Sequence, residues 1–258
     1  MNDYLMRKLS VTILFFCLTF FTEAQTITPK DSSLFIPMVC SSYSFQLPGG
    51  DMAKRFGGNS SVGIQTLFKL KNKLVFGLEG TILFGNKVDE KGILDSITAQ
   101  GGFIINNDGL LTDPRLTERG FTIVIKGGRL FPVLGHNPNS GLIFIAGVGL
   151  LQHKIRIDES DRKTSPQLTK EYKKGYDRLS NGLMLSEYIG YTYLSNNRIT
   201  NFMIGFEFIQ SFTQNRRSFD YDLMKKDTQH RVDLLYGIRF SWVLPLYKKH
   251  KKDSFTFY

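Results

Sequence analysis

The stretch HRVDLLYGIRFSWVLPLY, residues 230–247, alternates between apolar and polar positions. A β-strand places such side chains on two faces, whereas a helix scatters them around its circumference. The apolar positions, which include aromatic residues, are Val232, Leu234, Tyr236, Ile238, Phe240, Trp242 and Leu244. The opposite face carries ionised residues, among them Arg231, Asp233 and Arg239. A soluble sheet buries its apolar face, but a transmembrane barrel turns that face to lipid, and the rest of the chain must decide between them.

The N-terminus predicts export. The basic residues Arg7 and Lys8 precede an apolar run over residues 11–21, which is too short for a comfortable membrane span. Small residues within Thr22-Glu23-Ala24 suit cleavage by a signal peptidase. We therefore expect residues 1–24 to be a cleaved signal peptide and the mature protein to enter an oxidising compartment.

The composition is that of a folded β protein. The chain has 22 phenylalanines and 11 tyrosines, which suit the aromatic girdles of a membrane barrel. After removal of the signal peptide, Cys40 is the remaining cysteine, so an intramolecular disulfide is excluded. We expect Cys40 to be a small buried thiol.

About eight segments have the alternation and length of membrane strands, for which ~9–11 residues suffice. The predicted strands cover residues 34–46, 60–70, 74–84, 120–131, 142–155, 183–194, 201–212 and 230–247. Long connections follow the odd strands and short connections follow the even ones. Outer-membrane barrels have this alternation of long external loops and tight periplasmic turns, whereas an immunoglobulin-like sandwich has no reason to show it. The prediction is an antiparallel up-and-down transmembrane β-barrel over residues 25–247.

Four ionised residues share strand faces with glycines and small polar residues: Glu79, Lys126, Glu207 and Arg239. On a lipid-facing surface each basic residue would cost ~2–4 kcal/mol near the midplane, so we place all four in the lumen. An eight-stranded barrel has an interior just wide enough for side chains to fill. We predict a paired plug that closes the lumen, and the alternative is a gated path for protons or ions.

Several short stretches carry a resemblance to known proteins. They are FQLPGGD (45–51), NDG (107–109), ERGF (118–121), YGIR (236–239) and PLYK (245–248). With the strand count and loop alternation, the chain resembles small OmpA-type outer-membrane barrels, and more narrowly uncharacterised outer-membrane barrel proteins of the Bacteroidota. The resemblance implies the outer membrane of a Gram-negative cell. It implies no activity, because small barrels host lipid enzymes, adhesins, anchors and complex subunits alike.

An enzyme that modifies lipid A or phospholipid would need a base and a nucleophile at the external rim. His153 and His230 lie near the external ends of their strands, and Ser211 is the nearby hydroxyl. By parity Ser211 points inward and His230 points outward, and we expect His153 to be a solvated rim side chain. We assign no catalytic residue, metal site or cofactor.

The chain has a formal net charge of +10, which indicates either an anionic partner or a solvated basic surface. Candidate contacts to the phosphates of lipopolysaccharide are Lys173, Lys174, Arg216 and Arg217, because Arg and Lys suit that chemistry. A solvated mixed-charge loop is the alternative. Nucleic acid is out of reach from this compartment.

Two segments are not needed by a self-sufficient barrel. The first long external segment is too apolar for a free loop, so it should fold back or dock on a partner through Phe103, Ile104, Ile105, Leu110 and Leu111. The predicted periplasmic tail, residues 248–258, begins with a run of lysines and ends with the aromatic residues Phe255, Phe257 and Tyr258. It is a candidate docking peptide or a disordered tail near anionic headgroups.

These features favour an interaction protein with a closed lumen, plausibly an accessory subunit of an outer-membrane protein assembly or secretion complex. We expect it to have a protein partner in the outer membrane or periplasm, besides outer-membrane lipid and lipopolysaccharide. The alternatives are the lipid-modifying enzyme and, third, a narrow channel.

Overall fold

A computed structural model describes residues 33–90, 92–98, 102–134, 137–159, 165–169, 171–195 and 199–246. The predicted signal peptide and the predicted tail, with Phe255, Phe257 and Tyr258, lie outside the described residues. Within the described ranges, no helix has both the length and the apolar character needed to cross a membrane.

The described chain is built almost entirely of strands. They are β1 (Ile36–Gly50), β2 (Asn59–Lys69), β3 (Leu74–Gly85), β4 (Ile104–Ile105), β5 (Leu111–Thr112), β6 (Pro114–Phe131), β7 (Gly141–Glu159), β8 (Ser180–Tyr193), β9 (Phe202–Asn215) and β10 (His230–Pro245). Short 3-10 helices cover Met52–Lys54, Pro166–Leu168 and Tyr172–Gly175.

Eight of the strands form one closed barrel in the order β1-β10-β9-β8-β7-β6-β3-β2, with every pair antiparallel. β1 and β10 close it, with Met38 opposite Pro245 at one end and Gly50 opposite Asp233 at the other. The predicted antiparallel, up-and-down fold is confirmed. The last predicted strand begins at His230 as expected and ends at Pro245.

The two faces of the sheet are inverted relative to a soluble barrel. Ile64, Ile125 and Ile238 face outward with 67%, 64% and 56% of their surface exposed. On β10 the predicted outward residues are exposed or half-buried, whereas Asp233 and Arg239 are buried inside. This is the arrangement of a transmembrane barrel, in which strands alternate apolar-out and polar-in.

The second, third and fourth long connections, residues 86–113, 160–179 and 216–229, alternate with short ones as predicted. The first connection, which was predicted to be long, has only eight residues, 51–58. The described residues of these four connections lie at one end of the barrel, which we call the external end. The short ones, residues 70–73, 132–140 and 194–201, lie at the opposite end with the first described residues, and we call this the turn end.

The hairpin of β6 and β7 is longer than predicted. The two strands were expected to cover residues 120–131 and 142–155, but they pair as far as Pro114 and Glu159. Ile155 and Ile157 point inward and are buried in an apolar cluster, which stabilises the extension. The surrounding charged residues, Arg156 and Asp158 among them, obscured this alternation in the sequence.

The interior is layered along the barrel axis. One buried apolar cluster lies toward the turn end and includes Ile36, Leu67, Val75, Leu130 and Val243. A second lies toward the external end and includes Met52, Phe56, Leu83, Leu151 and Ile155. Along β3, Glu79 lies between Val75 of one cluster and Leu83 of the other, so the charged residues occupy the middle layer. Cys40 is free and buried, as expected.

Candidate functional site

The four charged residues predicted to face the lumen meet in its middle layer. Glu79, Lys126, Glu207 and Arg239 are each no more than 5% exposed. Arg239 forms ion pairs with Glu79 and with Glu207, and its Nη1 lies 2.5 Å from Glu207 Oε1. Lys126 also pairs with Glu79. The Lys126 ammonium also lies 3.9 Å from Glu207 Oε1. Two cations and two anions therefore balance each other inside the barrel, and we call this set the lumen plug.

Polar side chains of β1 complete the lumen plug. Ser42 Oγ accepts from Arg239 Nη2 at 2.9 Å, and Ser44 Oγ donates to Glu207 Oε2 at 3.2 Å. The cavity next to the plug has a volume of about 10 Å³, which is at the lower limit for one water molecule. The middle of the barrel is consequently filled by side chains.

A second polar layer closes the turn end. The Lys69 ammonium, on β2, is 1% exposed and donates to Asn139 Oδ1 at 2.8 Å and to the Leu34 carbonyl at 3.0 Å. It stands on the inward face of β2, which also carries the buried Ser61 and Gln65. Its acceptors come from a distant turn and from the start of the described chain, which no local pattern could reveal.

A third polar layer lies near the external end and is centred on Asp233. Its carboxylate accepts from Arg55 Nη2 at 2.9 Å and from Thr213 Oγ1 at 2.5 Å, and His153 Nε2 lies 3.0 Å away. His153 is fully buried, so the expectation of a solvated rim side chain was wrong. The Phe56 ring packs edge-on against the imidazole at 5.5 Å, because the connection after β1 folds over the barrel mouth.

This third layer does not assemble a nucleophile and a base. Ser211 Oγ donates to the Asp233 carbonyl at 3.1 Å, whereas His230 is exposed on the other face. His153 Nε2 is occupied by Asp233, and its Nδ1 has no hydrogen-bond partner among the described residues. Nor do the described residues contain a group of three or more histidines, cysteines and carboxylates that could hold a metal ion.

The four candidate lipopolysaccharide contacts are engaged with neighbours inside the loops. Lys173 pairs with Glu159 at 2.9 Å and Lys174 with Glu171 at 2.7 Å. Arg216 Nε donates to Asn181 Oδ1 at 2.6 Å, and Arg217 pairs with Asp177 at 2.5 Å.

The hydrogen bond from Arg217 to Asp177 raises the pKa of the guanidinium group. These pairs make the third and fourth long connections a mixed-charge surface, in which each of the four candidate cations already has an acceptor.

The apolar external segment both folds back and stays exposed. β4 and β5 form a small hairpin in which Ile104 lies opposite Thr112 and Ile105 opposite Leu111. Ile104 is 1% exposed and belongs to the external apolar cluster, so its assignment to a docking surface was wrong. The other candidates are 40–60% exposed: Phe103, Ile105, Leu110 and Leu111. We call these four side chains the external apolar surface.

No protein-family model matches this chain, and no curated protein matches it. Several solved structures show a distant likeness to this chain. The attachment invasion locus protein Ail of Yersinia pestis has 8% identity and a TM-score of 0.42, covering 82% of this chain and 99% of that one. Neisserial surface protein A has 11% identity and a TM-score of 0.36, covering 80% and 96%.

The N-terminal β-barrel domain of Pseudomonas aeruginosa OprF has 9% identity and a TM-score of 0.36, covering 80% of this chain and 97% of that one. The fold assignment rests on the strand pairing of this chain itself.

Proposed function

We propose that this protein is an integral outer-membrane β-barrel with a closed lumen that binds a protein partner through its external apolar surface. The main support is the exposure of Phe103, Ile105, Leu110 and Leu111 on a barrel whose interior is filled by side chains. Exposed apolar patches on folded proteins mark sites of interaction.

Placement in a membrane is supported by the outward faces of the strands. Residues such as Ile64, Ile125 and Phe206 are more than half exposed along the barrel wall. Each Å² of such surface left in water costs roughly 25 cal/mol, and a bilayer removes that cost. The predicted signal peptide and the resemblance to Bacteroidota barrels favour the outer membrane of a Gram-negative cell.

A channel is disfavoured by the three polar layers. Lys69 with Asn139, the lumen plug, and Asp233 with Arg55 lie one above another along the barrel axis. Apolar clusters fill the space between these layers. A conducting path would require breaking buried ion pairs, and a single uncompensated buried charge costs several kcal/mol. We therefore expect no sustained conductance in planar bilayers.

The lipid-modifying alternative receives little support from the external rim. His153 is enclosed, and Ser211 and His230 lie on opposite faces of their strands. An interaction role needs no such pair of groups. We propose that the role is that of an accessory subunit in an outer-membrane protein assembly or secretion complex, and the tail residues Phe255, Phe257 and Tyr258 are a second candidate contact.

The experiment is co-purification from gentle detergent. Tagged wild-type protein should bring down one stoichiometric partner. The variant L110S/L111S should lose that partner while keeping the heat-modifiable migration of a folded barrel, because both side chains are more than half exposed and support no core packing.

The matched control is Leu134→Ser. Leu134 is 82% exposed at the turn end, so the substitution removes exposed apolar surface from the opposite end of the barrel. It should retain the partner. If wild type, L110S/L111S and a truncation after residue 247 all purify alone, the subunit proposal fails. Activity toward lipid should then be measured with His153 and His230 variants.

A further inference from the structure

Two cations lie directly opposite each other on the outer wall of the barrel. Arg119 of β6 and Lys154 of β7 are register partners, and both stand on the outward faces of their strands. Like charges placed directly opposite across two strands are destabilising. Such a pair is therefore stabilised when an anion lies between its members.

The described residues supply no such anion. Neither side chain forms an ion pair with a carboxylate of the described residues, and Arg119 Nη1 donates instead to the Glu118 carbonyl at 2.7 Å. The Glu118 carboxylate is turned inward, where it accepts from Asn59.

A neighbouring cation on the same wall is compensated. Arg156, also on the outward face of β7, pairs with Asp158 at 2.8 Å. Among the described residues, neither Arg119 nor Lys154 has such a carboxylate partner.

The pair borders an open recess of about 750 Å³ beneath the third long connection. The recess is also lined by the ion pairs of Arg156 with Asp158 and of Arg217 with Asp177. Its two other cations, Lys173 and Lys174, pair with Glu159 and Glu171, so the uncompensated positive charge of the described lining comes from Arg119 and Lys154. The volume is in the range of small-ligand sites, which are about 300–1,000 Å³. A headgroup with one phosphate fits both the volume and the charge of this recess.

The position of the pair identifies the class of ligand. Toward the middle of the barrel, the next outward side chains on β6 are Phe121 and Ile123, which are exposed. On β7 the next outward residue is Gln152, and the exposed Leu150 follows it. The cations therefore stand at the edge of the apolar wall. A molecule with acyl chains against that wall would hold its headgroup at their level.

We propose that Arg119 and Lys154 bind the phosphate of a membrane-lipid headgroup. Arg and Lys both donate to phosphate oxygens, and such charge-assisted hydrogen bonds are the strong ones. This inference rests on the placement of the barrel in a membrane, but it does not depend on any protein partner. It assigns the lipid contact to residues other than the paired loop cations.

The test uses protein in uncharged maltoside micelles with two lipids that differ in one group, dioleoyl phosphatidic acid and dioleoylglycerol. Native mass spectrometry counts retained lipid. Wild type should retain the phosphatidic acid about tenfold more strongly, and R119Q/K154Q should lose that preference, because hydrogen bonds to charged groups have this magnitude. Without lipid, the variant should unfold at a higher temperature than wild type, because the repulsion is gone.

The matched control is K225Q/K226Q, which removes the same charge from exposed residues of the fourth long connection. It should retain phosphatidic acid as wild type does. Inorganic phosphate should not displace the lipid; displacement at equal concentration would overturn the assignment to lipid in favour of a free-phosphate site. Equal retention by wild type and R119Q/K154Q would overturn the proposal outright.

A second variant covers the case in which R119Q/K154Q does not fold. Lys154→Glu places an acid opposite Arg119, so it should fold, gain heat stability and lose the phosphatidic acid preference. Heat-modifiable migration is recorded for every sample. Failure of wild type to show it would count against the membrane barrel itself, whereas an unchanged lipid preference in a heat-modifiable variant counts against this site alone.

Discussion

The middle of the barrel and its external end differ in whether their charged and apolar side chains find partners within the chain. In the middle, two cations and two carboxylates are buried and compensate one another within the chain. At the external end, apolar side chains such as Leu110 and Leu111 remain in contact with solvent, and no carboxylate of the described residues pairs with Arg119 or Lys154. The interior charges are compensated within the chain, whereas the proposed partner and lipid contacts both lie at the external end.

The largest effect should come from breaking the lumen plug. Arg239→Met leaves Glu79 and Glu207 with one cation between them, and removal of one partner from a buried ion pair costs about 3–5 kcal/mol. Denaturant unfolding in detergent should show this loss of stability. Arg156→Met, which breaks an exposed pair with Asp158, should cost at most about 1 kcal/mol. Equal effects of the two substitutions would contradict the distinction between compensated interior and surface charges.

Substitutions of the two neighbouring isoleucines of the β4–β5 hairpin should differ in their effect on stability, because one side chain is buried and the other is exposed. Ile104→Ala removes a buried side chain, for which about 2–5 kcal/mol is typical. Ile105→Ala changes a side chain that is 48% exposed and should remain within about 0.5 kcal/mol of wild type. Hydrogen exchange over residues 102–113 reports the local stability. Comparable exchange in the two variants would show that the hairpin is not anchored through Ile104.

Asp233→Asn should weaken the layer near the external end. The substitution removes the charge that faces Arg55 and His153, and a hydrogen bond to a charged group contributes about 1.5–3 kcal/mol. The heat-modification midpoint should fall, with less effect than in Arg239→Met because a single carboxylate is involved. Thr213→Val is a smaller step on the same carboxylate, and an effect larger than that of Asp233→Asn would contradict the central place of Asp233.

The smallest effect should come from the loop cations. Lys174→Gln breaks a pair with Glu171 in which both side chains are about half exposed or more, and such exposed pairs contribute about 0–1 kcal/mol. Neither unfolding nor phosphatidic acid retention should change measurably. Loss of lipid retention in Lys174→Gln would return the lipid contact to the loop residues that the sequence first indicated.

Strand number, direction and facing were predictable because each depends on a pattern of period two. The alternation in β10 separates Tyr236 and Ile238 from Asp233 and Arg239 without reference to any other strand. Turn length and loop length then specify which ends meet. The alternation failed where charges crowd the outward face, so the extensions of β6 to Pro114 and of β7 to Glu159 were missed.

By itself, the sequence determined that the chain makes an inverted barrel and that Glu79, Lys126, Glu207 and Arg239 belong on inward faces, because parity is local. The tertiary structure alone decided which groups meet. His153 was expected in solvent but lies against Asp233, and Lys69 donates to Asn139. These partners come from strands and turns far apart in the chain, so the register of the closed barrel determines which of them meet. The same register places Arg119 opposite Lys154, a juxtaposition of residues from two strands that no single stretch contains.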